Sequence, residues 1–308
     1  MNDPLSVLSY GAGQDSAAIL ALLIEDRAFR RRYAPGHLLV MMSDTGNEHP
    51  QTYEYVAFTR EQCAAHGVPF LFLTPDQGYH TSAWQSLLHQ LDRTHTIVGK
   101  AMNRKACTSN LKLAPLYKAL DAYLAEQYGL PGGWQDRGGT RALTPGKRAL
   151  YAYAQRYGRV PMMIGFAAGE ERRAKTPPNE ERFMRECVQR VYPLLDAGLD
   201  RAGAQQVLRD LGWPVPPPSN CVMCPFKRDA EILWTARTLP DDFATWQRLE
   251  AQKLAKFAHK GDKNMTVFGD GRTLGEVAAD AAVKYATWSD ADLDTYRMTH
   301  GHGVTQAY

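Results

Sequence analysis

The chain has 308 residues, of which 44% are hydrophobic and 22% are charged, and its formal net charge is +3. This composition is ordinary for a globular protein with a substantial core. The longest apolar run near the start, AAILALLI at 17–24, is far too short to cross a bilayer, and no signal-peptide pattern precedes it. We therefore expect a cytoplasmic protein that makes no membrane contact.

Strand-like and helix-like segments alternate through the first two thirds of the chain. Short apolar runs predict five strands, at 5–9, 37–44, 68–75, 159–167 and 187–195. Helical periodicity separates them, with helices beginning near residues 15, 52 and 82 and a further helix that ends near residue 128. This order predicts an α/β fold with a doubly wound, mostly parallel five-stranded sheet.

The remaining chain divides into a basic insert and a helical end. Residues 130–150 are rich in glycine and basic side chains and lack apolar periodicity, which predicts a mobile loop. After residue 200 we predict helices at 202–211, 229–237, 241–258 and 274–282, with Trp234 and Trp246 as packing anchors and a flexible tail containing His300 and His302. The expected domains are an α/β domain at 1–200 and a helical region at 201–308.

A glycine turn follows the first predicted strand. Gly11 and Gly13 separate that strand from the helix that begins near Asp15. Such a turn directs backbone N–H groups and the positive end of the helix dipole at one anion, and its glycines allow phosphate oxygens to approach. The turn has neither the Walker sequence nor the three-glycine dinucleotide spacing. It predicts a nucleotide phosphate site, with a tight turn that binds no ligand as the alternative.

Basic residues are clustered although the net charge is small. The clusters lie at 30–32, 104–105, 137–148 and 172–175. Clusters of this kind favour a polyanionic partner such as nucleic acid, while solvated surface charge is the alternative.

The five cysteines indicate metal or redox chemistry. Cys221 and Cys224 form a Cys-x-x-Cys pair, which fits zinc, an iron–sulfur cluster or a redox disulfide. Because two ligands rarely satisfy zinc or a cluster, we expect Cys107, in a polar basic segment, to be the third. Cys187 and Cys63 lie in apolar patterns, so we expect both to be buried and inert, with Cys187 as the alternative fourth ligand.

Ordered motifs resemble one known superfamily. The turn with Ser9, Gly11, Gly13, Asp15 and Ser16 resembles the PP-loop of ATP pyrophosphatases, S-G-G-x-D-S. Residues 106–116 resemble the C-C-x-x-x-(R/L)-K-x-x-P-L segment of its PAPS reductase-like branch, in which an Asp-Thr-Gly loop (44–46), a glycine-initiated acidic-arginine loop (165–173) and a late Cys-x-x-Cys also recur. The matches span about residues 5–228. Ala106 replaces the first of two adjacent cysteines, and no cysteine follows Cys224, so reduction of a sulfonucleotide through a C-terminal thiolate is not expected.

The resemblance implies a fold like that of the adenine nucleotide alpha hydrolases, and it implies ATP, Mg²⁺ and a [4Fe-4S] cluster, with zinc as the alternative to the cluster. It places Asp15, Lys112 and Asp44 in catalytic roles, although Asp44 could instead cap the next turn. It assigns nucleotide or magnesium contacts to the following residues: Ser9, Gly11, Gly13, Gln14, Ser16, Thr45, Gly165, Glu170, Arg172 and Arg173. Glu170 could instead orient Arg172, and surface charge is the alternative for the two arginines. A cluster held by Cys107, Cys221 and Cys224 would leave one iron open, as in PP-loop sulfurtransferases, whereas Cys187 as fourth ligand would close it.

Three functions follow from these expectations. The first is an ATP-dependent sulfurtransferase, or its ATP pyrophosphatase component, acting on DNA or RNA by backbone phosphorothioation or base thiolation. It would receive sulfur from a donor such as a cysteine desulfurase and contact its substrate through the basic insert. The second is reduction of a small sulfonucleotide with an external thiol. The third is a non-catalytic nucleotide- and cluster-binding subunit of a modification or defence system. A homodimer or a larger complex is compatible with each.

Overall fold

A computed structural model describes residues 3–100, 106–175 and 180–301. The basic residues Arg104 and Lys105, and His302 of the tail, lie outside the described residues. The α/β part contains these strands: β1 (Leu5–Ser9), β2 (His37–Ser43), β3 (Phe70–Leu73), β4 (Trp134–Arg137), β5 (Thr140–Leu143), β6 (Val160–Ile164) and β7 (Val188–Val191). Its helices are α1 (Gln14–Glu25), α2 (Arg27–Tyr33), α3 (Pro50–Ala65), α4 (Leu87–Thr94), α5 (Ala114–Tyr128), α6 (Arg148–Tyr157), α7 (Arg182–Cys187) and α8 (Pro193–Asp196).

The helical end of the chain contains five further helices. They are α9 (Arg201–Asp210), α10 (Asp229–Thr238), α11 (Pro240–Lys256), α12 (Leu274–Lys284) and α13 (Asp290–His300). The sequence analysis predicted a flexible tail. Up to residue 300 this part of the chain is instead helical. Ser289 caps α13 by accepting a hydrogen bond from the Asp292 N–H, a local signal that the prediction missed. Among the described residues, no helix is both long and apolar enough to cross a membrane.

The five predicted strands form one parallel sheet in the order β3-β2-β1-β6-β7. Each lies within its predicted range, which confirms the α/β fold class. Val7 of β1 is in register with Leu39 of β2 and Met162 of β6. Since all pairs are parallel, the carboxyl ends of β1, β2 and β6 meet at one edge, where ligands bind in open α/β sheets.

Helices cover both faces of the sheet, and successive side chains of each strand pack alternately against one helical layer and the other. Leu8 of β1 packs in a cluster with α1, α3 and α9, whereas Val7 packs on the other face against α5 and α6. This alternation is the two-sided burial that a doubly wound sheet requires. The division at residue 200 stays a prediction, but α9 belongs to the core of the sheet, through Ala204 and Leu208.

The helical region has its own core next to this edge. Trp246 of α11 is fully buried in a cluster with α4, α10 and α12, and Trp234 of α10 packs against Leu293 of α13. Both tryptophans are packing anchors, as predicted.

The basic insert is a structured hairpin, so the predicted mobile loop is wrong. β4 and β5 pair antiparallel across Gly138 and Gly139, which both have positive φ angles of 64° and 81°. Two adjacent glycines form the tight turn of a two-residue hairpin, and this is the signal that the periodicity argument overlooked. The Trp134 Nε1–H donates to the Tyr79 hydroxyl at 3.2 Å and fastens the hairpin to the domain.

Candidate functional site

The glycine turn lies between the carboxyl end of β1 and the first turn of α1. Its backbone includes Ala12 with φ of +52°, and Gly13 is the N-cap residue of α1. Among the described residues, no side chain caps the first turn of α1. Ser16 closes the turn, because its Oγ accepts from the Gly11 N–H and donates to the Gly13 carbonyl, both at 3.2 Å. The first N–H groups of α1 thus remain for an anion.

Two glycines are required here by close packing. A Cβ on Gly13 would lie 2.6 Å from the Cβ of Ser219, and one on Gly165, after β6, would lie 2.9 Å from the Ser16 backbone nitrogen. These approaches bring the segment around Ser219 and the end of β6 against the turn. They enclose a cavity of about 190 Å³. Its lining residues are Ser9, Gly11, Gly13, Gln14, Asp15, Ser16, Ile164, Gly165, Arg173, Arg201, Pro218 and Ser219.

Asp15 is the buried acid of this anion cavity. Its Oδ2 accepts a hydrogen bond from Arg201 Nη2 at 2.9 Å, whereas its buried Oδ1 has no partner among the described residues. Burial raises its pKa to about 6, which Arg201 opposes and Glu170 reinforces. Sequence reasoning missed Arg201, because it lies 186 positions away on α9 and no local pattern distinguishes it.

Glu170 holds the two arginines of the anion cavity. Its Oε1 accepts from Arg173 Nη1 at 2.7 Å and lies 3.4 Å from Arg201 Nη2. Glu170 is buried and does not line the cavity, so its contacts place it behind Arg173 and Arg201 rather than at the cavity surface. Arg172 is exposed and lines neither this cavity nor the next, so the geometry does not support its predicted place at the nucleotide.

A second cavity, of about 340 Å³, adjoins the first. Cys107, Cys221 and Cys224 all line it, together with Lys112 and Thr45. The three cysteines singled out in the sequence thus converge, although Cys107 is more than a hundred positions from the pair. A hydrogen bond from the Cys221 thiol lowers the pKa of Cys224, whereas this bond and burial raise the pKa of Cys221. Burial also raises the pKa of Cys107.

The donor set of this thiol cavity can be compared with the metals it was expected to hold. Within residues 3–100, 106–175 and 180–301, no group of three histidine, cysteine or acidic side chains is close enough to hold a single metal ion. A structural zinc ion needs four ligands within about 2.3 Å of one point, whereas a cluster distributes its cysteines over several irons. The three thiols around this cavity are of the ligand type that both zinc and iron–sulfur clusters take.

Cys187 and Cys63 lie elsewhere. Cys187 is fully buried in the cluster beneath α5 and α6, and burial raises its pKa to about 11. Cys63 is buried among the apolar residues on the other face of the sheet, and burial raises its pKa to about 12. Neither lines the thiol cavity. Cys187 as a fourth ligand has no geometric support.

Lys112 lines the thiol cavity and forms an ion pair with a carboxylate that the sequence analysis missed. Its Nζ lies 3.3 Å from Oε1 of Glu48, whose side chain is fully buried, and this pairing raises the pKa of Lys112. The Thr45 hydroxyl donates to the same oxygen at 3.0 Å, while Glu48 Oε2 has no partner among the described residues. Lys112 belongs to a π-helical turn, Thr108–Leu113, and such turns are frequent at functional sites. The sequence did offer one signal for Glu48, because this residue lies in the same loop after β2 as Asp44.

Asp44 caps its own loop. It accepts hydrogen bonds from the Gly46 N–H at 2.8 Å and the Tyr53 hydroxyl at 2.9 Å, and it lines neither cavity. The geometry therefore favours the capping alternative over the predicted catalytic role.

The loop after β2 also fixes the Cys-x-x-Cys turn. The Asn47 carbonyl accepts from the Val222 N–H at 2.8 Å, and its side-chain Oδ1 accepts from the Met223 N–H at 3.1 Å. A single β-bridge joins Glu48 to Cys221. The end of a sheet strand thus holds the thiol pair in place.

The two cavities share a wall formed by Arg173 and Ser219. An anion bound at the glycine turn would therefore lie beside the thiols. No family model matches this chain, and no curated protein matches it. Function is accordingly argued from the geometry of these two cavities and from the ordered motifs that line them.

Proposed function

We propose that the protein is an ATP-dependent sulfurtransferase acting on nucleic acid, or the ATP pyrophosphatase component of one, from the PAPS reductase-like branch of the PP-loop superfamily. The observation that carries the proposal is the wall of Arg173 and Ser219 common to the anion cavity and the thiol cavity. Sulfur transfer onto an oxygen-bearing atom needs activation of that oxygen and delivery of sulfur at adjacent points. Two adjoining cavities with these linings meet that requirement.

The anion cavity would hold the triphosphate of ATP. Backbone N–H groups at the start of α1 would bind the β- and γ-phosphates, and Arg173 and Arg201 would neutralise their charge. The unpartnered Asp15 Oδ1 is the carboxylate oxygen available to Mg²⁺ there. A substrate oxygen would attack the α-phosphorus, the bond to the β-phosphate oxygen would break, and pyrophosphate would leave. A sulfide-level sulfur would then displace AMP, which carries the oxygen away.

The thiol cavity would supply the sulfur. Cys107, Cys221 and Cys224 would hold a [4Fe-4S] cluster, which in this ligation supplies an open iron for sulfide. Lys112 would hold an anion beside the thiols, because Glu48 keeps it charged and oriented. A donor such as a cysteine desulfurase would deliver the sulfur, and a reducing cytoplasm would keep these cysteines from forming disulfides.

Pyrophosphate release from ATP tests the proposal. We expect DNA or RNA to stimulate release by full-length, anaerobically purified protein. Arg173→Gln should lower the stimulated rate about tenfold or more, because the cation at the shared wall is lost. Arg172→Gln is the matched control, since Arg172 is adjacent to Arg173 in the sequence but is exposed and lies outside both cavities. The stimulated rate of this variant should stay within about twofold of wild type.

Two outcomes would contradict the proposal and identify its alternatives. Turnover of a small sulfonucleotide with an external thiol, without stimulation by DNA or RNA, would identify a reductase. Binding of ATP without cleavage, with or without nucleic acid, would identify a non-catalytic subunit of a larger system.

A further inference from the structure

A third cavity, of about 180 Å³, lies on the helical side of the thiol cavity. It is enclosed by the end of α11, the turn after it and the segment 96–99. Its apolar wall includes Ile97, Phe257 and Met265, and the Met265 side chain is 41% exposed, an unusual exposure for a large apolar residue in this protein.

Two polar atoms in the lining of this third cavity have no partner. The hydroxyl of Thr266, a residue only 6% exposed, and Oδ1 of Asn264 are buried and make no hydrogen bond to the described residues. The Asn264 amide orients this oxygen by donating to the Leu254 carbonyl at 2.7 Å. A ligand that has both a donor and an acceptor group could satisfy the two atoms together.

Lysines surround the same opening. Lys253, Lys260 and Lys263 line it, and Lys260 Nζ lies 4.4 Å from the centre of the Phe257 ring. Lys253 is buried and donates to the Met265 carbonyl. The nearest buried carboxylate, Glu250, is engaged by the N–H groups of Val267 and Leu274 at 2.8 and 2.7 Å. Asp262 is the acidic residue of the turn, so the three lysines face two carboxylates and the opening keeps one excess positive charge.

The segment before residue 100 separates this cavity from the thiol cavity. Thr96, Ile97 and Gly99 face the lysine-rimmed side, whereas Val98 lines the thiol cavity. This one backbone segment therefore contributes to the walls of both cavities, so a chain bound at the rim would lie next to the thiol cavity.

We propose that this cavity receives an unstacked base of a single-stranded nucleic acid, while the flanking phosphates contact Lys260 and Lys263. The cavity is large enough for one planar ring system. The buried Thr266 hydroxyl and Asn264 amide oxygen in its wall would pair with a base edge after side-chain rotation, and the Phe257 ring would become available when Lys260 turns from it to a phosphate. Aromatic contact to bases and lysine contact to phosphates are the general means of binding single strands. Binding of the base is argued from this cavity alone. A part for the bound strand in sulfur transfer rests on the proposed function.

Fluorescence anisotropy with labelled single-stranded DNA and RNA oligonucleotides, over a range of salt concentrations, tests the assignment. Lys260→Ala/Lys263→Ala should weaken binding about tenfold and lower the slope of log affinity against log salt by about 1.4, because two phosphate contacts are lost. Thr266→Val should weaken binding about threefold or more without changing that slope, because it removes only a hydrogen-bonding group. The thermal midpoint of Thr266→Val should not fall, since the lost hydroxyl has no partner in the free protein.

Arg156→Ala/Arg159→Ala is the matched control, because it removes two exposed cations near the amino end of β6, and neither belongs to one of the basic clusters. Its affinity should stay within about twofold of wild type. Equal losses in both double variants, unchanged affinity in Thr266→Val, or duplex DNA or thymidine monophosphate binding as tightly as the strand would each overturn the assignment. Binding needs no ATP turnover, so intact strand binding without stimulated pyrophosphate release would count against the proposed function alone.

Discussion

Asp15 is held in an environment that disfavours its charge. It is 9% exposed in the first turn of α1, and only one of its carboxylate oxygens is paired. Burial raises its pKa from 3.8 to about 6 despite the attraction of Arg201. The native state therefore keeps a proton that the unfolded chain releases, and ionisation of Asp15 opposes folding until a cation or a ligand compensates it.

The pH dependence of stability should reveal this proton. Because the folded pKa is raised, the contribution of Asp15 to stability falls as pH rises from 3.8 through 6 and is constant above. Asp15→Asn removes the titration. Unfolding in urea should show the free energy of wild type, relative to Asp15→Asn, dropping by about 2 kcal/mol between about pH 4.5 and about pH 7.5. A difference that is constant or that rises with pH would contradict the environment described for Asp15.

The glycine turn and the segment around Ser219 form one unit. They touch closely enough that a side chain at Gly13 has no room, since its Cβ would also lie 2.9 Å from the Ser219 backbone nitrogen. Gly11 in the same turn differs, because an added Cβ would lie 3.1 Å from the rotatable Ser219 Oγ. The two glycines therefore offer a comparison within one element.

Gly13→Ala should lower the free energy of unfolding by about 2 kcal/mol or more, because the backbone around Ser219 must move. Gly11→Ala should cost less than about 1 kcal/mol, since only a side-chain rotation is needed and the unfolded chain loses entropy. Adding Ser219→Gly to Gly13→Ala should restore part of the lost stability, because it removes the clash with the Ser219 Cβ. The rescue should be partial, because the backbone nitrogen of residue 219 remains close to the new Cβ. Urea unfolding of the four proteins measures this, and equal costs at the two glycines would refute the contact.

Arg297 of α13 joins the helical region to the sheet. Its Nη2 donates to Gln51 of α3 at 2.9 Å and to Asp294 at 2.8 Å, and its guanidinium lies 3.9 Å from the ring of Trp234. The carbonyl of Met298 in the same helix accepts from Gln14 of α1 at 3.4 Å. One helix thus contacts both parts of the molecule, so we expect them to unfold together.

Equilibrium unfolding followed by tryptophan fluorescence and by circular dichroism should give coincident transitions. Arg297→Met should lower the free energy of unfolding by about 1.5 kcal/mol, because it removes the contact of a buried guanidinium with Trp234 and its hydrogen bonds to Gln51 and Asp294. Arg237→Met is the control, since it removes the more exposed ion pair to Asp290 of α13, at 3.3 Å, and should cost less than about 1 kcal/mol. Separate transitions in the wild-type protein would show that α13 does not couple the two parts.

Local patterns determined much of this protein. Apolar runs and turn residues suffice to predict the five strands and the parallel type of the sheet, because burial on both faces of a sheet leaves a direct record in sequence. The glycine turn and the Cys-x-x-Cys pair are equally local. The hairpin at Gly138 and Gly139 and the capped helix α13 were also readable, so their omission was a failure to weigh turn and cap chemistry rather than a lack of signal.

Only the tertiary structure decided which residues share a site. Arg201 reaches Asp15, Glu48 pairs with Lys112, and Ser219 closes over the glycine turn, all between segments far apart in the chain. Asp44 and Arg172 matched a motif yet lie outside both cavities. A charged side chain carries no local mark of the partner that it meets, because that partner is selected by the order of the strands and the packing of the helices. The sequence by itself thus specifies the sheet and its turns, while the packed fold determines the composition of the site.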